Sequence, residues 1–130
     1  MHLFLNGHAY NIAEQSRRKE INFKKAIQCN ANGLEQYQKG NYPAAIQSFT
    51  DGMQFDKESV SLLFNRAMGY IKSKQLPLAM TDIQQVLKIE PEHEKAKNAK
   101  KWLQDKGVIV ENMEESLSDE DNYSPCCILF

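Results

Sequence analysis

The chain has 130 residues and a mass of 14.9 kDa, which fits one domain with room for a tail. Hydrophobic residues make up 42% of it and charged residues 25%, a composition that argues against a wholly disordered chain. No apolar run is long enough to cross a bilayer as a helix, and the apolar residues 1–5 are too few for a secretory signal.

The net charge of −1 hides an asymmetry along the chain. All 16 Lys and Arg residues lie in residues 1–107 with 11 of the 17 acidic residues, so this part has a formal charge of +5. The other six acidic residues give residues 108–130 a charge of −6. Because the positive charge is mixed with negative charge rather than clustered, we expect no nucleic-acid partner.

Cysteine and histidine are sparse and show no spacing typical of a reactive or metal site. Three cysteines are too few for a disulfide framework, which favours a reducing compartment. Cys29 is expected to be a small buried residue. His93 is expected on the surface, and the histidines lack metal-ligand spacing. No phosphate-binding loop or catalytic constellation is present either, so we expect no enzyme, no cofactor and no metal.

The chain aligns with itself when each position i is set against position i+34. Small residues fall on small ones, large apolar residues fall on large ones, and one dipeptide ending in proline coincides with another. The matched pairs are Gly33 with Ala67, Tyr42 with Leu76, Pro43 with Pro77, Ala45 with Ala79, Ile46 with Met80, Phe49 with Ile83, Met53 with Leu87 and Phe55 with Ile89. This period indicates a helical repeat protein.

Each repeated unit has the pattern of two helices. Gly40 and Asn41 break the first unit between residues 35–39 and 44–55, and Pro43 lies where the first turn of a helix tolerates proline. Pro77 opens the second helix of the second unit, and Pro91 ends that unit. A fifth helix is expected over residues 92–106, apolar on one face and charged on the others, as in a capping helix.

This unit resembles the tetratricopeptide repeat. The second unit has the signature residues Leu63, Ala67, Tyr70, Ala79, Ile83, Val86 and Pro91, and the first unit has Gly33, Ala45, Phe49 and Gly52. The first unit departs from the pattern at Asn32, Gln36 and Lys57. The resemblance covers residues 26–107. It implies an all-α fold, a short helical solenoid with repeats over 26–59 and 60–93 and a capping helix over 92–106. A generic helical hairpin bundle is the alternative.

Residues 1–25 form a basic lead-in without a clean apolar stripe. We expect them to form a helix that runs into the first repeat and is frayed at its start. Solenoids usually need three repeats, so either this helix or self-association of two copies would supply the missing contacts.

The tail, residues 108–130, ends in a lipidation motif. Its acidic, Asn and Ser residues predict a disordered linker. Residues 127–130, Cys-Ile-Leu-Phe, match a C-a-a-X box whose terminal Phe indicates a geranylgeranyl group on Cys127. The alternative is a hydrophobic ending that is not processed. Cys126 is a candidate for S-palmitoylation, with an unmodified thiol as the alternative. The anchor would place the protein on the cytoplasmic face of a membrane, and without it the protein would be cytosolic.

The resemblance implies a groove on the first helix of each repeat that takes a protein or peptide. Its candidate residues are Asn30, Leu34, Tyr37, Leu62, Asn65, Arg66, Gly69 and Lys95. We therefore expect a non-enzymatic adaptor for protein–protein interaction, tethered to a membrane.

A chaperone adaptor is the alternative function. Some tetratricopeptide domains bind the acidic C-terminus of heat-shock chaperones through five polar residues that clamp two carboxylates. By motif, Asn65 and Lys95 match that clamp. The other three positions hold Asn30, Leu34 and Ala99 where the family has lysine, asparagine and arginine. With two of three cations missing, chaperone tails are expected to bind weakly.

Overall fold

The computed structural model describes the backbone of residues 2–108 and the side chains of residues 11–108. These residues form five α-helices and no strand: α1 (His2–Gln38), α2 (Tyr42–Met53), α3 (Val60–Lys72), α4 (Leu76–Ile89) and α5 (Glu94–Asp105). Each helix packs against the next one in the chain. The all-α repeat architecture is thereby confirmed for the described part of the chain, in which no helix is both long and apolar enough to cross a bilayer.

The helix α1 is much longer than its counterparts because the lead-in and the first helix of the first unit are continuous. Ala26 is its first buried side chain among those described, and none of residues 11–25 is buried. Residues 11–22 are therefore an exposed stretch of α1, about 18 Å long, and contacts with the body begin at Phe23 and Lys25. Two ion pairs of Glu14, with Arg17 at 3.1 Å and with Arg18 at 3.4 Å, lie on this exposed segment.

Three helices end in the same turn. Gly40, Lys74 and Gly107 follow α1, α3 and α5, and all three have a left-handed backbone, with φ of 83°, 66° and 85°. In each case the next residue donates its N–H to a carbonyl five residues back, which satisfies a free carbonyl at the helix end. These bonds are Asn41 to Gln36 at 2.9 Å, Gln75 to Tyr70 at 2.8 Å, and Val108 to Leu103 at 3.1 Å.

The shared turn relates α5 to the first helices of the two units. A helix that ends like α1 and α3 has the geometry of the first helix of a third unit, rather than only of a cap. Val108, predicted from the sequence to be the first residue of the tail, is 7% exposed and belongs to the core.

Each helix from α2 to α5 begins with a proline in its first turn or with a side chain that caps its N-terminus. Pro43 and Pro77 lie in the first turns of α2 and α4. The Ser59 hydroxyl accepts a hydrogen bond from the N–H of Leu62 at the start of α3 (3.3 Å). His93 does the same for α5, where its Nδ1 accepts from the N–H of Ala96 at 3.0 Å. The prediction of a plain surface histidine was therefore wrong, because His93 is a half-buried helix cap.

Four of the residues matched by the period of 34 lie at the centre of the core. Ala45, Phe49, Ala79 and Ile83 are completely buried. The helices α1 and α2 approach closely because Gly33 has no side chain: a Cβ there would collide with the Phe49 ring. The repeat pattern thus corresponds to contacts that hold the first and second helices of each unit together.

Candidate functional site

One face of the body carries two adjoining hollows, which we call together the groove. The first lies between α1 and α3, has a volume of about 230 Å³, and is lined by Phe23, Ile27, Asn30 and Ser61 among others. The second lies between α3 and α5, measures about 180 Å³, and is lined by Val60, Ser61, Phe64, Asn65, His93 and Lys95. Because Ser61 lines both, the hollows form one continuous surface across the first helices of the three units.

Two asparagines predicted for the groove meet at its middle. The side-chain Nδ2 of Asn65 on α3 donates to Oδ1 of Asn30 on α1 at 2.9 Å. Each amide keeps further hydrogen-bonding capacity, since an Asn side chain has two N–H donors and two acceptor sites. Side-chain amides that already hold each other in place are suited to bind the backbone of an extended peptide.

An apolar patch on α1 extends the groove beyond the packed body. Phe23 and Ile27 lie one helical turn apart and are 58% and 53% exposed. Ile21 is 43% exposed and lies about 200° from Phe23 around the same helix. No clean stripe is visible here in the sequence, because Ile21 interrupts the spacing of four between Phe23 and Ile27.

Arg66 is not a groove residue, and the prediction for it was wrong. Its guanidinium holds both carboxylate oxygens of Asp82 on α4 at 2.8 Å and reaches the Thr50 hydroxyl on α2 at 3.2 Å. Burial raises the pKa of the Asp82 carboxyl, a shift that the hydrogen bond from Arg66 opposes. The same bond raises the pKa of Arg66. Arg66 therefore joins the two units on the side of their second helices.

Three other groove candidates belong to the packed interior. Leu62 is 1% exposed. Gly69 is buried against α2, where a Cβ would lie 2.8 Å from Cγ1 of Ile46. Tyr37 is buried with its ring edge-on to Tyr42, at 5.2 Å between centroids. Leu62 nevertheless lines the floor of the first hollow. The prediction that Gly69 and Tyr37 line the groove was wrong, because both positions face α2.

Of the remaining candidates, Lys95 is exposed at one end of the groove and Leu34 is half-buried against the core. Ala99, the last of the five clamp positions, is completely buried. The structure therefore leaves a single cation, Lys95, among the clamp positions, and Ala99 occupies a place where a longer side chain would disturb the core.

Sequence reasoning missed several residues of the groove, among them Ser61, Phe64 and His93. Ser61 lies between the two hollows, and the Phe64 ring lies 5.2 Å from the imidazole of His93 at the mouth of the second. Phe64 and Ser61 flank the buried pair Leu62 and Leu63, so no periodicity distinguished them from core residues. His93 could have been found from its place just before a helix, where a side-chain acceptor caps the free N–H groups.

No group of metal-binding side chains occurs within residues 11–108. Cys29 is half-buried rather than fully buried, and a Cβ at Gly52 would lie 2.9 Å from its Cβ. Cys29 thus packs towards α2 and is less buried than the sequence predicted. Cys126 and Cys127 lie outside the described residues, as does the predicted linker.

Comparison with known proteins gives one relevant match. The chain is 29% identical over 93 residues to human tetratricopeptide repeat protein 12. The match covers 72% of this chain but only 13% of the human protein. No family model matches the chain, and no solved structure matches it. Together with the repeated helical pairs, the similarity supports a tetratricopeptide-like family and, with it, a protein–protein interaction module.

Proposed function

We propose that the chain is a non-enzymatic adaptor that binds a segment of a partner protein in the groove and is held at a membrane by a lipid on Cys127. The observation that carries the first part is the groove itself, in which the Asn30–Asn65 amide pair lies between exposed apolar side chains and Lys95. Such a surface offers side-chain amides that can bond a peptide backbone, apolar side chains that can anchor it, and one positive charge. These features suit an extended peptide with apolar and acidic residues.

The apolar patch supports this use of the groove. Phe23 and Ile27 are large apolar side chains that remain more than half exposed although they border a hollow. Aromatic and aliphatic anchors that bury on binding contribute much of the free energy of an interface. Binding that covers Phe23 and Ile27 would also support the part of α1 that has no neighbour in the body, since isolated helices of this length are marginal in water.

A photo-crosslinking amino acid at position 23 tests the groove, with position 21 as the matched control on the opposite face of α1. We expect a discrete adduct in cells from position 23 and not from position 21. The yield should fall when Lys95→Glu is added, because that change reverses the charge at the other end of the groove. Equal capture from positions 21 and 23, insensitive to Lys95→Glu, would contradict a specific groove.

The membrane part of the proposal rests on residues 127–130. A C-a-a-X box with Phe in the last position is a substrate pattern for geranylgeranylation of Cys127. One chain alone gives only marginal membrane binding, so Cys126 would supply a second acyl chain. The acidic tail would oppose binding to an anionic leaflet, which makes the second lipid more important.

Cell fractionation of the wild type beside Cys127→Ser and Cys126→Ser tests the anchor. Cys127→Ser should move the protein wholly to the cytosol, because Cys126 is acylated only while the prenyl group holds the tail at a membrane. Cys126→Ser should weaken the membrane association and leave a prenyl-sized mass increase. The same distribution for all three proteins would leave a cytosolic interaction module without an anchor.

The chaperone alternative is disfavoured by the burial of Ala99 and by Leu34, neither of which can donate to a carboxylate. Peptides with the acidic chaperone ending should bind weakly in titration calorimetry. Micromolar or tighter binding that is lost in Lys95→Ala would establish the chaperone function instead.

A further inference from the structure

Two further hollows lie on the opposite side of α5 from the groove. One, of about 340 Å³, is lined by residues that include Gln84, Leu87 and Lys88 of α4 and Lys100 of α5. The other, of about 410 Å³, is lined by Leu87 and Pro91 together with Lys97, Lys100, Lys101 and Gln104. They share Leu87 and Lys100, so they form one trough along the line where α4 meets α5. We call it the α4–α5 trough.

After α5, beside this trough, the chain makes the same left-handed turn that follows α1 and α3. After the turns at Gly40 and Lys74 it enters α2 and α4, which pack on the helices before and after them. The turn at Gly107 has the same left-handed backbone and the same hydrogen bond, so Val108 stands where Asn41 and Gln75 stand, directly before α2 and α4. The place that a second helix would take in the third unit is the α4–α5 trough.

The charges of the two surfaces are complementary. Lys97 already pairs with Glu92 at 2.8 Å, but within the described part of the chain no carboxylate pairs with Lys88, Lys100 or Lys101. Residues 109–121 carry six acidic side chains and no basic one. Attraction between a lysine-lined trough and an acidic segment joined to it by a fixed turn needs no second molecule, since the tether keeps their effective concentration high.

The equivalent position in the second unit identifies a specific pair. Under the period of 34, Lys100 is the counterpart of Arg66, and Gln84 in the trough is the counterpart of Thr50. Arg66 bonds Thr50 and also Asp82, which lies on the following second helix. Because α5 has 12 residues where α3 has 13, the counterpart of Asp82 comes one position earlier than the period alone would place it. That residue is Glu115.

We propose that residues 109–117 dock in the α4–α5 trough as the second helix of a third unit, with Glu115 paired to Lys100. Ile109 and Met113 then correspond to Leu76 and Met80 of α4 and bring apolar side chains to the trough. Ser116 stands where the second unit has the completely buried Ile83, so the docked segment packs less apolar surface than α4. Docking therefore depends on charge and is in equilibrium with an undocked state. It leaves residues 118–126 as a spacer and is independent of the proposed lipid anchor.

Hydrogen exchange of the full chain, read by mass spectrometry, tests this docking with a charge swap. At low salt, amides of residues 109–117 should exchange at least about tenfold more slowly in the wild type than in Lys100→Glu. Adding Glu115→Lys to Lys100→Glu should restore the protection. Lys95→Glu is the matched control on the same helix, and it should leave the tail unchanged because Lys95 faces the groove. Salt at about 0.5 M should act like Lys100→Glu by screening the pair.

Exchange in peptides from α3 and α4 shows that the variants remain folded. Three results would overturn the proposal: free exchange of residues 109–117 in the wild type at low salt, failure of the charge swap to restore protection, or protection that rises with protein concentration. The last would mean that the trough is covered by a second copy of the chain.

Discussion

The two repeated units pack their first helix against their second at equivalent positions, but with different side chains. In the first unit, Gly33 on α1 leaves space that the Phe49 ring of α2 fills. In the second unit, Ala67 and Ile83 stand at the same two positions, and both are completely buried. A smaller residue on one helix is thus matched by a larger one on its partner, so the distance between the helices is kept while the chemistry changes. The repeat preserves total volume at a contact rather than the identity of each residue.

The units differ more at the side of their second helices. The second unit has the ion pair of Arg66 with Asp82, whose side chains are 18% and 5% exposed. The aligned residues of the first unit are Asn32 and Ser48, which cannot form such a pair. Arg66 needs a helix before it to supply Thr50, and α1 has no earlier unit within the described residues. The half-buried charge of Arg66 thus lies where helices on both sides hydrogen-bond it.

The largest expected effect breaks the first unit at its centre. Phe49→Ala should lower the free energy of unfolding by about 4 kcal/mol, because the ring is completely buried and Gly33 cannot fill the cavity. Ile83→Ala, at the equivalent position of the second unit, should cost less because fewer atoms are removed. Urea denaturation measures both. A loss below about 1 kcal/mol for Phe49→Ala would mean that the two units do not share this contact.

A second prediction addresses the ion pair. Asp82→Asn should cost about 3 kcal/mol, since it leaves the Arg66 guanidinium without its charge partner. Ser48→Ala, the matched change in the first unit, should cost less than about 0.5 kcal/mol. The double variant Arg66→Met with Asp82→Leu should stay within about 1 kcal/mol of the wild type, because apolar side chains can replace a buried pair. Equal effects of Asp82→Asn and Ser48→Ala in thermal or chemical denaturation would refute this difference between the units.

A third prediction converts the first unit towards the second. Gly33→Ala alone should cost about 2 kcal/mol, because its Cβ collides with the Phe49 ring. The double variant Gly33→Ala with Phe49→Ile recreates the pair found at Ala67 and Ile83, so its cost should be smaller than the sum of the single changes. A double-mutant cycle gives the coupling. Additive costs would show that helix spacing, and not the contact, differs between the units.

The smallest predicted effects lie in the turns. Lys74 has a left-handed backbone that Gly40 adopts without strain in the first unit. Lys74→Gly should therefore stabilise the protein by about 0.5–1 kcal/mol, and Gly40→Ala should destabilise it by about 1 kcal/mol. Shifts of the same sign in differential scanning calorimetry would contradict the equivalence of the turns.

Much of the fold could be predicted because the helix boundaries and the repeat period leave local signals in the sequence. The period of 34, the prolines that open α2 and α4, and Gly40 and Gly107 after helix ends are all visible in the printed chain. The groove was harder. Tyr37 and Gly69 share a helix face with groove residues in a simple helical projection, but the packing of α2 against them buries them.

Sequence alone determined the helical repeat and its core, because small and large apolar residues recur at a period of 34 with helical spacing inside each unit. Tertiary structure decided which polar residues remain for binding. Asn30 and Asn65 form a hydrogen bond although they lie 35 positions apart in the chain. Arg66 instead bonds Asp82 and Thr50 on two other helices, which keeps it out of the groove. Such assignments depend on which helices lie next to each other and at what distance. That geometry follows from side-chain volumes packed together rather than from any one residue's preference.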